Sequence, residues 1–490
     1  MDGESAWTEA GSERGLDPLA MLGSIEDLYQ TQLLPGFSSV TTRLRYYSFH
    51  AWWTTRYTDE VYDTDLERFQ SWTRRLEALY ALASAVADRD EVGLAGARFA
   101  RRRAIDMDDP VDFRKETDRA TPSEARYLKP LSGAFRQIYA GQMRDIGILG
   151  TARAHALPVP TELGRTLADG FKEATGDLGD LLWEGAEAGT ISRVNLVRLG
   201  ALRPSVIDQE GPEGKALREL LMGVTGPPES GARRGASLRA ILNVAKVTEE
   251  PVTPNLLRWR WAEEDPTDPQ AETLARWQHY QSGDTLRVVY EALLRYATLA
   301  LEDYPAGLPP SVLARRLSEE TPDVSLGVLM RATNEERPDA TLEDLQRNAL
   351  TQWAGLAEIM APLARLVAMW RGRVEELAIS FPGGAARQNV RTELERIEAA
   401  WDEPARTFLA GLIRERIVMR HLQVSARKFH QQNRYTFLVE MESDRLLARG
   451  VRDVEPSGPR LDTAIQFLED AGLLKDGFIT PRGAAWETEA

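Results

Sequence analysis

Apolar residues recur every three or four positions along most of this chain, which is the pattern of amphipathic helices. One such run opens at Thr341, a residue type that caps helices, and continues to Trp370. Another extends from Ala271 to Asp303. We expect each run to form a long helix in a helical bundle, and we expect the fold class to be mainly α.

The C-terminal residues depart from this helical pattern. Leu473-Leu474 and Phe478-Ile479 flank Lys475-Asp476-Gly477, whose Asp-Gly step is typical of a two-residue hairpin turn. A helical segment precedes the first apolar pair, and Thr480-Pro481 predicts a helix start after the second. This order of helix, strand, turn, strand and helix is that of a winged helix, which we predict for residues 436–490.

An earlier segment resembles this one. Residues 145–149 followed by 160–164 share small and apolar positions with residues 470–474 followed by 480–483, although the earlier hairpin has a less clear turn. We therefore predict a second winged helix at the end of the N-terminal domain. Proline- and glycine-rich stretches divide the chain into four predicted domains. These are an N-terminal helical domain (1–175), a middle helical and loop region (176–270), a long-helix bundle (271–435) and the C-terminal winged-helix module (436–490).

The densest local signal lies near the N-terminus. Leu34-Pro35-Gly36 predicts a sharp turn, and Ser38 or Ser39 is a candidate cap for the helix that follows. Arg43 and Arg45 then fall in the first helical turns, where the helix dipole disfavours cations. We therefore expect an anionic group beside them.

That anionic group is either an internal carboxylate, such as Glu26 or Asp27, or a phosphate. Five aromatic residues follow the first arginine: Tyr46, Tyr47, Phe49, Trp52 and Trp53. Aromatic faces beside arginines are typical of platforms that stack single-stranded bases. However, three of these residues form one stripe at helical spacing, and such stripes usually pack in a core. We favour the core for the aromatic residues and ion pairing for the arginines, with at least one arginine buried.

Three stretches of this region carry a resemblance: Gly15-Leu16-Asp17-Pro18-Leu19, Leu34-Pro35-Gly36, and Thr41-Thr42-Arg43-Leu44-Arg45-Tyr46-Tyr47. They are similar to stretches in a poorly characterised group of bacterial proteins that are often encoded among anti-phage defence genes. The resemblance covers roughly the first sixty residues, and the remainder only in general layout. It implies a genomic setting in defence, and it brings no catalytic residues with it.

Composition narrows the function classes. The absence of cysteine excludes disulfides, thiolate metal sites and thiol catalysis. The sequence contains no P-loop, nucleophile elbow or dinucleotide-binding turn, and no paired histidines at metal-binding spacing, so we predict no catalytic residue, metal or cofactor. The N-terminus lacks the basic start of a signal peptide, and no apolar stretch is long enough to span a membrane. We expect a cytoplasmic protein.

The formal net charge of -15 repels DNA over most of the surface, so any DNA contact must be a local patch. The best candidate is the segment 414–434, with six basic residues and one acidic residue. In one continuous helix, its arginines at i, i+4, i+11 and i+18 from Arg416 lie within about 40° around the axis. The predicted contacts to phosphates of double-stranded DNA are Arg416, Arg420, Arg427, Lys428 and Arg434. The alternative is pairing with the acidic side chains of residues 393–403.

These features favour a non-catalytic subunit of a bacterial anti-phage or anti-plasmid defence complex. We expect it to contact DNA locally and to bridge to a partner encoded beside it, either an ATPase (SMC-like or helicase) or a nuclease. Winged helices at both ends suit a kleisin-like bridge. The alternative from another class is a divergent metal-dependent nuclease, whose carboxylates must then converge from separate elements.

Overall fold

The computed structural model describes residues 17–38, 40, 43–263, 270–384 and 387–488. Within these ranges the protein is mainly helical, which confirms the predicted fold class, and its strands occur in four antiparallel pairs. The chain divides into two compact units. The described part of unit 1 comprises residues 17–28, 258–263 and 274–457, with the gap noted above, and that of unit 2 comprises 29–257, 270–273 and 458–488. This division differs from the four consecutive domains predicted from the sequence.

The helices and strands have the following bounds. The helices up to residue 263 are Leu22–Leu28 (α1), Arg45–Arg56 (α2), Leu66–Ala87 (α3), Ala97–Arg103 (α4), Arg114–Thr117 (α5), Ala140–Asp145 (α6), Glu162–Thr175 (α7), Asp177–Ala188 (α8), Arg193–Leu199 (α9), Pro212–Leu221 (α10), Pro228–Val247 (α11) and Pro254–Glu263 (α12). The later helices are Ala271–Glu302 (α13), Pro310–Ser318 (α14), Leu326–Glu335 (α15), Leu342–Ala349 (α16), Leu356–Trp370 (α17), Val390–Ala399 (α18), Ala405–Gly411 (α19), Met419–Gln432 (α20), Leu461–Asp470 (α21) and Pro481–Thr488 (α22). Short π-helical turns occupy Tyr29–Leu33, Tyr57–Val61, Phe135–Tyr139 and Leu412–Val418, and 3-10 turns occupy Gly200–Leu202 and Val374–Ile379. The strands are Val111–Asp112 (β1), Leu149–Thr151 (β2), Pro158–Pro160 (β3), Thr190–Ile191 (β4), Val439–Glu442 (β5), Arg445–Ala448 (β6), Leu474–Lys475 (β7) and Phe478–Ile479 (β8), paired β1-β4, β2-β3, β5-β6 and β7-β8.

Unit 1 is built on α13, which confirms the long helix predicted for this run. Apolar side chains of α13 such as Trp277 and Tyr290 are almost fully buried. Buried charges lie on the same helix. Asp284 accepts hydrogen bonds from Arg287 at 3.0 and 2.9 Å and pairs with Arg258. The buried carboxylate is therefore held between two guanidinium groups.

The second predicted long helix is interrupted, so that prediction is wrong. Helix α16 ends at Ala349 and α17 begins at Leu356. The N–H of Gly355 donates to the Glu358 carboxylate at 3.1 Å, as in a capping box, and this contact begins a new helix. Trp353, which the periodic pattern placed on the apolar face, lies in the break and is 87% exposed. The apolar spacing runs through the break, but α16 and α17 are separate helices and each buries its own apolar side.

Unit 2 packs around α2 and α3. Helix α2 lies against α7, which in turn lies against α10, while α3 contacts α4, α8 and α9. The earlier of the two similar segments is formed by α6, β2, β3 and α7. Gly147 has a φ of +81° after α6, and Thr161 Oγ1 donates to the Gly147 carbonyl at 2.6 Å and accepts from the N–H of Gly164 at 3.1 Å. A Cβ on Gly164 would lie 2.3 Å from the Ile148 carbonyl oxygen.

The later segment, formed by α21, β7, β8 and α22, repeats this local structure. Gly472 has a φ of +70°, and Thr480 Oγ1 donates to the Gly472 carbonyl at 2.8 Å and accepts from the N–H of Gly483 at 3.0 Å. A Cβ on Gly483 would lie 2.1 Å from the Leu473 carbonyl oxygen. The resemblance between the two sequence segments therefore corresponds to the same hydrogen bonds and the same close approach.

The predicted hairpin turn is present, but the winged-helix module is not confirmed. Asp476 and Gly477 have φ values of +52° and +78°, as a type I′ turn requires. However, residues 436–457 belong to unit 1, whereas 458–488 belong to unit 2. Helix α21, which precedes the hairpin, carries no basic residue and buries one face of apolar side chains. It therefore lacks the basic, exposed surface of a DNA-reading helix.

We expect Gly477→Val to lower the melting temperature of the protein. A β-branched residue is strained at positive φ, and a Cβ here would lie 2.8 Å from Pro251 Cβ and 3.1 Å from the Val252 carbonyl oxygen. The expected loss is about 1–3 kcal/mol. Gly458→Val is the matched control, since Gly458 lies in the same segment with no atom within 4 Å of its added Cβ. Equal melting temperatures for the two variants would show that the positive φ and close contacts at Gly477 do not limit stability.

Candidate functional site

Arg43 and the start of α2 bind Asp470, the last residue of α21. Arg43 Nη1 donates to Asp470 Oδ1 at 2.6 Å, and the N–H of Leu44 donates to Asp470 Oδ2 at 2.9 Å. Leu44 is the residue that precedes the first turn of α2. The helix therefore begins later than the predicted cap at Ser38, and a carboxylate from a distant segment supplies the capping acceptor. Ser39 lies outside the described residues.

Asp470 is buried, and burial raises its pKa to about 6, although Arg43 and the Leu44 N–H favour its charged form. A second carboxylate, Glu91, lies 3.5 Å from Arg43. The guanidinium of Arg43 thus contacts two carboxylates within unit 2.

Arg45 forms a bidentate pair with Glu213, whose side chain is fully buried. Arg45 Nε and Nη2 donate to the two Glu213 oxygens at 3.0 and 2.9 Å, and Ser48 Oγ donates to Glu213 Oε1 at 2.6 Å. Burial opposes the charged form of Arg45, but the attraction of Glu213 is stronger in sum and raises its pKa. The prediction that at least one of Arg43 and Arg45 is buried and paired with a carboxylate from another segment is confirmed.

The aromatic residues of the opening motif lie in the core of unit 2, as favoured from their helical spacing. Tyr46, Tyr47 and Trp53 are each at most 1% exposed. Tyr46 stacks on Tyr139 with ring centroids 5.0 Å apart, while Tyr47 Oη donates to the Gly36 carbonyl at 2.5 Å. The platform for stacking bases is therefore not formed by these rings. The motif positions 15, 16, 41 and 42 lie outside the described residues.

The basic segment is not one continuous helix to Arg434, so the predicted single face is wrong. Residues Leu412–Val418 form a π-helical turn, which changes the angular spacing before α20 begins. Asn433 adopts a left-handed conformation with a φ of +51°, and its N–H caps the Phe429 carbonyl at 3.0 Å. Arg434 therefore lies beyond the helix end.

Three of the predicted DNA contacts hold other parts of unit 1. Arg416 pairs with Glu393, which is the alternative that the sequence left open. Arg420 Nε donates to the carbonyl of Leu19 at 3.0 Å, and Lys428 Nζ donates to the carbonyl of Asp17 at 2.6 Å. These cations satisfy backbone or carboxylate acceptors, so their first role is structural.

Arg427 is exposed and lies close to several of these cations. Burial lowers the pKa of Arg420, and the positive charges of Arg427 and Arg416 lower it further. Lys428 has a pKa lowered first by burial, with Arg427 and Arg452 adding to the effect. Four cations, Arg420, Arg427, Lys428 and Arg452, thus lie near one another, and we call them the α20 cluster. The carboxylates of Asp17, Glu291 and Glu393 partly offset their charge, and Arg427 is the exposed member.

His421 fastens two segments to α20. Its Nε2 accepts the N–H of Leu438 at 2.9 Å, while Nδ1 faces the Pro18 carbonyl at 3.3 Å, so a neutral imidazole protonated on Nδ1 satisfies both. The side chain is fully buried, and burial lowers its pKa to about 4.

The sequence reading missed a second group of cations, in unit 2. Arg98 and Arg102 on α4 share the lining of a cavity with Arg126 and Lys129. The available signal was the run 97–103, in which four of seven residues are arginine. The two facing cations come from a loop more than twenty residues later, and spacing alone does not group them with the helix.

No protein-family model, curated protein or solved structure matches this chain. Within the described ranges, no group of three His, Asp or Glu side chains is arranged to hold a metal ion. In the same part of the chain, no helix combines the length and apolar character needed to cross a membrane.

We expect Arg43→Ala and Arg45→Ala each to destabilise the protein by about 3–5 kcal/mol, because each leaves a buried carboxylate without its partner. Arg68→Ala is the control, since its pair with Asp63 is 57% exposed at the arginine and such pairs contribute about 0–1 kcal/mol. Thermal and denaturant unfolding measure the effect. Wild-type melting of both variants would show that the pairs do not support the fold.

We expect the stability that depends on His421 to be lost as the pH falls from 6.5 to about 4. The folded-state pKa lies below the unfolded value of 6.5, so the unfolded chain binds the extra proton in that window and acidification favours unfolding. His421→Gln removes the titration, and the melting-temperature advantage of the wild type over this variant should shrink across the window. His430→Gln, at an exposed position of the same helix, is the control. A constant wild-type advantage from pH 7 to 4.5 would refute this interpretation.

Proposed function

We propose that this chain is a non-catalytic subunit of a bacterial anti-phage or anti-plasmid defence complex, and that it contacts double-stranded DNA through the α20 cluster. The observation that carries the DNA contact is the exposed Arg427 among Arg420, Lys428 and Arg452. The neighbouring cations add to the attraction of the exposed Arg427 for an anion. A DNA phosphate supplies that anion, whereas the net charge of the remaining surface repels DNA.

The resemblance of the opening motif supports a role in defence. The bridging role follows from that setting, because the proposed partner is encoded beside this chain. We propose as partner an ATPase, SMC-like or helicase, or a nuclease encoded beside this chain, in the cytoplasm. A kleisin-like bridge requires winged helices at both ends of the chain, and neither is confirmed. Arg416, Arg420 and Lys428 bind acceptors within unit 1, so the proposed DNA contact depends mainly on Arg427.

We expect Arg427→Ala to weaken DNA binding and to lower the slope of log K against log salt by about one unit, the value for one lost phosphate contact. The measurement is fluorescence anisotropy of a labelled duplex with the full chain, over roughly 50–200 mM salt. Arg427→Glu should weaken binding further because it adds repulsion.

Arg414→Ala is the matched control for this experiment. Arg414 is an exposed arginine of the same segment, but it pairs with the adjacent Glu415 at 2.7 Å. Its loss should leave the salt slope unchanged. Equal slopes for the wild type and Arg427→Ala, or no salt-dependent binding by the wild type, would overturn the DNA proposal. Cleavage of plasmid by the pure chain with Mg²⁺ or Mn²⁺ would instead favour the metal-dependent nuclease.

A further inference from the structure

We infer that unit 2 contains a binding site for a phosphate-bearing small molecule, in the cavity between α4 and the loop 123–129. The cavity has a volume of about 540 Å³ and opens to solvent. Its polar lining consists of Arg98, Arg102, Ser123, Glu124, Arg126 and Lys129. Four cations therefore face one carboxylate, in a chain whose overall charge is negative.

Two of the cations lie on α4. Arg98 and Arg102 are four residues apart, so their side chains project from the same face of the helix, and both are exposed. Like charges at this spacing destabilise a helix unless an anion lies between them. The facing wall supplies Arg126 and Lys129, so positive charge surrounds the cavity from both sides.

Arg126 supplies the most specific observation. Its Nε and Nη1 atoms are buried from solvent and have no hydrogen-bond partner. Buried donors left unsatisfied cost free energy, and native proteins contain few of them. A phosphate group matches the charge of a guanidinium and accepts hydrogen bonds from its N–H donors. Nε and Nη1 are closed to solvent here, so a turn of the Arg126 side chain would bring these donors to an anion in the cavity that the residue lines.

The carboxylate in the cavity does not take this place. Glu124 accepts a hydrogen bond from Ser123 Oγ at 2.5 Å, which lowers its pKa, and nearby Lys129 and Arg126 lower it further. Its side chain forms no hydrogen bond with Arg126 and leaves the two guanidinium donors unsatisfied. The balance of charge at the cavity stays positive.

The loop that carries Arg126 is fastened beneath the cavity. Tyr127 Oη donates to the buried carboxylate of Glu77 at 2.5 Å, and the Tyr127 N–H donates to the Glu116 carbonyl at 3.0 Å. Gly96, before α4, has a φ of +82°, and a Cβ there would lie 3.2 Å from the Tyr127 ring. Loop and helix are thus packed against each other, which keeps the backbones of the two cation-bearing segments in place before a ligand arrives.

The shape favours a small molecule over a nucleic-acid backbone. Cavities of about 300–1,000 Å³ are typical of small-molecule sites. A concave site with clustered cations suits the di- or triphosphate chain of a nucleotide, or a free polyphosphate, as the ligand. The residues are separate from the α20 cluster, so this inference stands independently of the proposed DNA contact.

We expect pyrophosphate, tripolyphosphate and ATP to bind the full chain in isothermal titration calorimetry and to raise its melting temperature. Arg126→Met should weaken binding on the order of tenfold or more, as loss of a charged hydrogen-bonding contact implies. Without ligand this variant should melt at or above the wild-type temperature, because it removes buried unsatisfied donors. A merely structural role for Arg126 predicts the opposite result.

Arg98→Ala offers a second test at an exposed position that the fold does not need, and it should also weaken binding. The control is Arg89→Ala, which removes an exposed arginine of the same unit outside the cavity. Tighter binding of ATP than of tripolyphosphate would identify a nucleotide, and equal binding would identify the phosphate chain alone. The inference is overturned if none of the three probes binds, or if Arg126→Met and Arg98→Ala bind them like wild type.

Discussion

The pairing of buried arginines with carboxylates at the start of α2 is the constraint on which unit 2 depends. Asp470 neutralises Arg43 and also accepts the N–H of Leu44. One carboxylate therefore provides both the counter-charge and the capping acceptor at the start of α2. Glu213 neutralises Arg45 in a bidentate pair and accepts a further hydrogen bond from Ser48 Oγ. Each ion was removed from water at considerable cost, and only a complete pair offsets that cost. The helix start, the aromatic core below it and the terminal segment are therefore fixed together.

Unit 1 uses the same chemistry at the centre of its long helix. Asp284 is fully buried between Arg258 and Arg287, and the attraction of the two guanidinium groups keeps its pKa low despite burial. Several arginines of this protein are buried and join distant segments, because a guanidinium bonds several acceptors at once. This use of arginine explains why a basic stretch of sequence such as 414–434 contributes fewer surface charges than its composition suggests.

Local signals in the sequence predicted local structure well. The periodic run of α13, the Asp476-Gly477 turn and the burial of the Arg43 and Arg45 motif all follow from short-range chemistry. The break before Leu356 was missed because apolar spacing happens to continue across it. The partners of the arginines were missed for a different reason: Asp470 is 427 positions from Arg43, and no rule of spacing connects them. The same holds for the cavity, whose cations come from a helix and a later loop.

The assembly of unit 2 from distant segments has a consequence for biosynthesis. A ribosome produces residues 29–257 of this unit first, then most of unit 1, and only afterwards the strand-and-helix segment that carries Asp470. Until residue 470 has been translated, Arg43 and the first N–H groups of α2 lack the carboxylate that completes them. In the nascent chain, water or another partner must bind these polar groups while more than two hundred further residues are added. Completion of unit 2 therefore waits until its last segment, residues 458–488, has been translated.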